Sequence, residues 1–488
     1  MSRTDEPATD PAAPGREAEE AAGIGDLAIV LHSHMPYVEG FGTYPFGEEW
    51  LFDAVIRSYA PVTEVAAGLT MTVTPVLADQ LEAEGVAERV RDFTREFRIR
   101  TCEVEAGELE PALGRACEAE ARRYRIALEQ LERLGGELTG LFGEPGANGR
   151  VELISSAATH AVLPLIATHA GRRLQIDAGL RSHRRRFGAP AGFWLPECAY
   201  EPGLEALLAE RGLGYFCTDQ SAHEPGLAAL TPIATAAGPV AFPIDWEAVS
   251  WVWSLNGYPS DPVYADFHRR TLRGARPWAI GGGPYDPEAA AARAREHAGE
   301  FARAAAARLQ RVVPGPGRRG LIVFAIDTEL LGHWWWEGPE WLAELLRVAP
   351  EHDLEPVTLG EAARRHRAEP RPLRASTWGE GKDMRTWDSP QVADLARAAR
   401  RLELRVLRGL GSGIGRNAAR RAARELLALQ ASDWAFLDRR REAGDYPWER
   451  STGHARSLLE AIDCGAPEPD PGLRNLAPDL SLSPLLEP

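Results

Sequence analysis

The chain of 488 residues is short of several things. It holds a single lysine, Lys382, so nearly all of its positive charge is arginine, a bias we read as GC-rich codon usage. Its five cysteines, Cys102, Cys117, Cys198, Cys217 and Cys464, are scattered without CxxC spacing, which argues against a disulfide framework or a zinc knuckle. No apolar run reaches 18 residues, so no membrane-spanning helix is expected. Positive charge is also outweighed: the net charge of −16 disfavours nucleic acid and anionic membrane surfaces as partners and suits a neutral substrate. Residues 1–25 are acidic and rich in Pro and Ala, with neither the basic start nor the apolar stretch of a signal peptide. They are expected to form a disordered tail on a cytoplasmic protein.

What the chain does have is a series of short, continuous apolar runs: "LAIVL" (27–31), "TMTVTPV" (70–76), "RVELI" (150–154), "GFWL" (192–195), "GYFC" (214–217), "LIVFAI" (321–326) and "PVTL" (356–359). Runs of this kind are strands buried on both faces of a parallel sheet. Helical stretches lie between them, so an α/β fold, an irregular (β/α)7 barrel over residues 26–365, is expected. Residues 78–145 are helical, charged and too long for one crossover, and read as an insertion. From 366 to 465 the pattern is helical, giving an all-helical C-terminal domain, and 466–488 reads as a tail.

The polar residues that follow the runs carry the functional signal. His32 and His34 follow the first, His160 the third, Glu197 the fourth, Asp219 the fifth, and Asp327 and Glu329 the sixth. In a parallel barrel all strand C-termini open on one rim, so these groups converge on one cavity. No core needs such a gathering, and burying it is costly unless the groups are satisfied or used. Each element also has a plainer reading. "HSH" can be structural or can ligate a metal, Asp219 can cap a helix, and "WWW" (334–336) can be core. Three adjacent tryptophans cannot all face a core, however, so some must line a surface or cleft. Tryptophan is abundant, with 14 copies, and flat indole faces beside carboxylates and imidazoles suit pyranose rings. Two rim carboxylates, Glu197 and Asp327, then supply glycosidic chemistry.

With "HSHMPYV", "ELISSAATHAVLPL", "GFWLPECAYEPGLE", "FAIDTELLGHWWWEGPEWL" and "STWGEGKDMRTW" in order, the chain resembles glycoside hydrolase family 57, in particular its α-1,4-glucan branching branch. "GYPSDPVYADFHR" and "LLALQASDWAFL" extend the resemblance over roughly residues 26–460. It implies a retaining mechanism with no metal and no cofactor, acting on an amylose- or glycogen-like glucan. Glu197 would be the nucleophile and Asp327 the general acid/base. His32, His34 and His160 would bind sugar hydroxyls, and Trp253, Trp378 and Asp433 would contact donor or acceptor. The sequence departs from the family's pattern at Ile244, where "FPRD" reads "FPID", and at Ser260, where "GYPGD" reads "GYPSD". The segment "AHEPGLAALTPIATAAGP" also lacks an aromatic residue where related branching enzymes carry a Tyr that shields the intermediate. These departures keep an α-glucan hydrolase or a 4-α-glucanotransferase open as alternatives. A glycan-binding protein without turnover, or a metal-dependent deacetylase, would be the readings from other classes.

Overall fold

The computed structural model describes residues 24–42, 46–222, 230–312, 319–465 and 475–486. The expected tail over 1–25 lies outside them apart from its last two residues, and Gly25 already opens a strand.

Seven parallel strands form the ring of a ten-stranded sheet. They are β1 (Gly25–Ser33), β2 (Leu69–Val73), β3 (Val151–Ser156), β4 (Gly192–Trp194), β5 (Tyr215–Thr218), β6 (Val240–Pro243) and β7 (Gly320–Asp327). Their spatial order is β6-β5-β4-β3-β2-β1-β7. Across the remaining seam the Asp245 N–H, just past β6, donates to the Val323 carbonyl of β7 at 2.9 Å. The ring is therefore an irregular (β/α)7 barrel, as the apolar runs imply. β1 is buried along its whole length, and β7 until its final residue, because each is covered on both faces.

Two strands differ from the sequence reading. β6 supplies the seventh member of the ring, whereas "PVTL" belongs to β8 (Leu354–Val357), which lies beside β1 outside it. The cause is a length mismatch. β1 has nine residues and pairs with β2 only through Val30–Ser33, leaving Gly25–Ala28 to take β8 on the same side.

Between β2 and β3 the chain is helical from Pro75 to Ala147, its longest piece being Pro111–Arg133. That helix starts at a Glu110 side chain that accepts the Ala112 and Leu113 N–H groups, and Pro111 follows in the first turn. Beyond the barrel four helices follow, Ala393–Gly411, Arg416–Leu429, Ser432–Arg440 and Tyr446–Cys464; Ser432–Arg440 packs through Trp434 and Leu437 beside Leu395 and Tyr446, while the other three pack around Val406, Ala422, Leu426, Leu458 and Ala461. Leu174 and Ala178 of the barrel helix His169–Phe187 join the same cluster, so the two regions share a core. Within 466–488, expected as a tail, residues 475–486 are instead docked. Leu476, Leu480 and Leu485 are buried in that cluster, and the Ala477 N–H donates to Asp79 at 2.7 Å.

Candidate active site

The parallel direction of the strands delivers their C-terminal ends to one rim. There a cleft of about 620 Å³ is lined by His32, His34, His160, Glu197, Trp253, Asp327, Trp378 and Asp433, the eight residues given catalytic or binding roles from the sequence; of the other rim groups expected there, Glu329 lines it and Asp219 does not. The first six of the eight come from the barrel, Trp378 from the loop after it, and Asp433 from the helix Ser432–Arg440.

Glu197 follows β4 in a short turn where its own φ is 60° and that of Cys198 is 48°; His160 has a φ of 56°. Left-handed backbone at residues with a Cβ costs about 1–3 kcal/mol each and persists where surrounding contacts over-determine it. Those contacts are visible. The Trp378 indole N–H donates to Glu197 Oε2 at 2.8 Å, and the Trp378 backbone N–H donates to the Glu197 carbonyl at 3.0 Å. Ser432 adds a side-chain hydrogen bond to the carboxylate.

Behind Glu197 the imidazoles form a stack. The His34 and His160 centroids are 4.1 Å apart, and His32 lies between His160 at 4.8 Å and the Trp194 indole at 4.7 Å. His32 Nε2 meets His160 Nε2 at 3.0 Å, and His160 Nδ1 meets Ser432 Oγ at 2.9 Å. The network assigns the tautomers: with the Ser432 hydroxyl directed at Glu197, His160 donates from Nδ1 and accepts from His32 at Nε2. Burial holds both rings well below the usual imidazole range, the nearby His34 adding to the effect, so neutral rings fit this chain. His34 behaves oppositely. Burial lowers its pKa, but the Asp433 carboxylate at 2.9 Å from Nε2, with Glu329 and Glu197 nearby, raises it overall.

Both rim acids are raised by burial, Asp327 the more strongly. Burial, Glu329 and Glu197 push Asp327 well above the ordinary aspartate range. Burial raises Glu197 too, yet its bonds from Trp378 and Ser432 favour the charged form. The arrangement can hold one carboxyl protonated beside one ionised, which is the division of labour that acid-assisted nucleophilic displacement requires. Several buried polar atoms of cleft residues, His32 Nδ1, Asp433 Oδ2, Thr386 Oγ1 and Trp387 Nε1, also lack a hydrogen-bond partner among the described residues. Among the described residues no group of three or more His, Cys, Asp or Glu is arranged to hold a metal ion.

The sequence profile of glycosyl hydrolase family 57 matches residues 28–372. The chain belongs to glycosyl hydrolase family 57. A second profile, that of the 1,4-alpha-glucan branching enzyme C-terminal domain, matches residues 394–468 of this family 57 chain. A 1,4-alpha-glucan branching enzyme of Thermococcus kodakarensis is 32% identical over 493 residues, covering 89% of this chain and 73% of that protein. The crystal structure of a family 57 branching enzyme from Pyrococcus horikoshii superposes with a TM-score of 0.89 at 30% identity, covering 95% of this chain and 97% of the other. The alpha-amylase AmyC from Thermotoga maritima superposes with a TM-score of 0.82 at 25% identity, covering 95% of this chain and 98% of the other.

The site of this family 57 chain also contains residues that sequence reasoning did not assign. Glu329 accepts the His34 backbone N–H at 3.0 Å and the Tyr59 hydroxyl, and its pKa is pushed up to about 7 chiefly by burial. Asp219 does cap, taking the Ser221 N–H at 2.8 Å on Oδ1, while Oδ2 holds the Trp246 indole and the Lys382 ammonium. The lone lysine, read as codon usage, thus stands in the cleft wall. Of the three adjacent tryptophans, Trp335 and Trp336 are core and Trp334 is 45% exposed on the cleft, so both readings of "WWW" hold a share. The segment without an aromatic falls partly on residues 223–229, outside the described residues.

Proposed function

We propose that this chain is a cytoplasmic 1,4-alpha-glucan branching enzyme that makes α-1,6 branches in an amylose- or glycogen-like polymer by a retaining mechanism. The observation that carries the reading is the convergence in one tryptophan-lined cleft of Glu197, which receives hydrogen bonds from Trp378 and Ser432, and Asp327, which faces negative neighbours. Glu197 attacks C1 of a glucosyl unit, the C1–O4 bond breaks, and the Asp327 proton passes to the departing O4. A glucan 6-hydroxyl then attacks C1 from the face the leaving group vacated. Its proton returns to Asp327 and Glu197 is released. Neutral His32 and His160 and the His34–Asp433 pair hold sugar hydroxyls and the surroundings of Glu197, while Trp253 and Trp378 offer ring faces to glucosyl units. No metal or cofactor enters these steps. A reducing compartment suits the five cysteines, all free thiols.

Incubation with amylose should raise the α-1,6 content, read by debranching and linkage analysis, while reducing ends stay nearly constant. Abundant reducing ends without branches would reject branching. That outcome would favour the second reading, α-glucan hydrolysis, which draws on the absent aromatic in "AHEPGLAALTPIATAAGP" and the likeness to the Thermotoga amylase. Chain-length redistribution with only α-1,4 bonds would instead indicate a 4-α-glucanotransferase.

A further inference from the structure

Three distant segments meet at one ammonium group. Lys382 Nζ lies 2.9 Å from Asp219 Oδ2, 3.4 Å from the Trp378 carbonyl oxygen and 3.2 Å from the centroid of the Trp246 ring. Asp219 directly follows β5, Trp246 opens the helix after β6, and Lys382 sits in a turn 163 residues after Asp219. The Trp246 indole N–H shares Asp219 Oδ2 with the ammonium, so carboxylate, cation and ring face form one closed unit. Asp219 is fully buried, which makes this tie far less exposed to solvent screening than the other ion pairs of the same turn. Glu380 reaches Arg439 and Asp383 reaches Arg385, but the carboxylates of both pairs are largely exposed, where such pairs contribute little. Ile244, which replaces the family's Arg beside β5, is buried and brings no charge; its N–H donates to the Thr218 carbonyl at 2.9 Å.

The turn is tightly wound. The Lys382 N–H donates to the Gly379 carbonyl at 3.0 Å, with φ of 70° at Gly381 and 60° at Lys382. Four residues before Lys382, the same turn presents Trp378, whose backbone and indole N–H groups both bond Glu197. We propose that Lys382 is a positioning residue, a latch that fastens the Trp378–Lys382 turn to the barrel through Asp219 and Trp246 and so keeps the Trp378 indole on Glu197. The proposal rests on the reading of Glu197 as nucleophile.

Releasing the latch withdraws the indole donor from a buried carboxylate. The groups facing Glu197 from the other elements, namely His34 after β1, His160 after β3, Asp327 of β7, and Ser432 and Asp433 of the C-terminal helix, stay in place. Lys382 itself faces Asp219, Trp246 and Cys198. With its main donor gone, Glu197 takes up a proton at higher pH than in the parent.

The test is steady-state kinetics of the full chain on amylose against pH. Lys382→Met should lower kcat by about ten- to a hundredfold, with any rise in KM smaller than the fall in kcat, as expected when a reacting group is displaced. The acid limb of kcat should move up by about one pH unit. Trp378→Phe, which keeps a ring but lacks the N–H, should move the same limb the same way. Lys382→Arg should restore most of both effects, and Lys382→Met/Asp219→Asn should be no worse than either single variant. A parental acid limb in folded Lys382→Met, additive losses in the double variant, or a change in KM alone would overturn the latch. If Lys382→Met is unfolded, the limb in Trp378→Phe and Asp219→Asn decides. A Glu197→Gln enzyme as active as the parent would sink the nucleophile reading; an inert Glu197→Gln beside an unaltered Lys382→Met would sink only the latch.

Discussion

His32 of β1 and Asp327 of β7 are register partners across a parallel ladder. One strand pair therefore delivers an imidazole and a carboxyl to the cleft together. A one-residue slip of that pairing would turn one of them toward the outer face of the barrel, so register and chemistry are coupled here.

Removing either carboxylate should have distinguishable results. Glu197→Gln should abolish turnover by about a thousandfold or more on every glucosyl donor, because no covalent step remains. Asp327→Asn should be equally damaging on amylose, yet substantially relieved on α-glucosyl fluoride, whose leaving group needs no proton. Rates for the two donors, measured side by side, check this; a fluoride rescue of Glu197→Gln rather than Asp327→Asn would reverse the roles.

The pH profile should report on Glu329. Asp327 is held protonated by burial and by the Glu329 charge, so activity should fall as pH rises through the Asp327 pKa. Glu329→Gln removes that negative neighbour, lowers the Asp327 pKa, and should draw the alkaline limb of kcat to lower pH. The acid limb, set by Glu197, should hardly move. A coincident alkaline limb would mean that Glu329 does not govern Asp327.

Trp253 is 50% exposed at the cleft, so its removal should cost binding rather than folding. Trp253→Ala should raise KM for amylose roughly tenfold with kcat nearly unchanged, the signature of losing one indole-to-sugar contact. The melting temperature should stay close to the parent's.

Stability should carry its own pH dependence through Glu337. This buried carboxyl accepts the Ala265 N–H at 3.1 Å and has its pKa pushed up to about 7 by burial. Its folded value lies above its unfolded one, so its contribution is complete at low pH and is lost as pH rises through about 7. Glu337→Gln removes that loss. It should gain at most about 3 kcal/mol relative to the parent on going from pH 4 to pH 8. Denaturant titrations at the two pH values read this difference directly.

The sequence made the barrel legible because strands buried on both faces write themselves as unbroken apolar runs, and because each run ends in the group it presents. It did not reveal β6, four residues closing on Pro243, too short for its periodicity to speak. Nor did it place β8 outside the ring, since that depends on how much of β1 its neighbour covers. In the site, the eight residues given catalytic or binding roles share the cleft, but the pairs that tune them span the chain. Tyr59 and Glu329 are 270 positions apart, and nothing local in either marks the contact. One signal was present and misread: the leucines spaced through "LRNLAPDLSLSPLLEP", which a solvated tail would not need.

The solitary lysine has a practical corollary. Its side chain is 36% accessible, and burial brings its pKa below the ordinary lysine range, leaving more free amine at mild pH. An acylating reagent applied to the folded protein therefore finds one side-chain amine, and that amine stands in the cleft wall. Acylation there also discharges the tie to Asp219, so the label reads occupancy as protection by an oligosaccharide rather than serving as a handle on working enzyme.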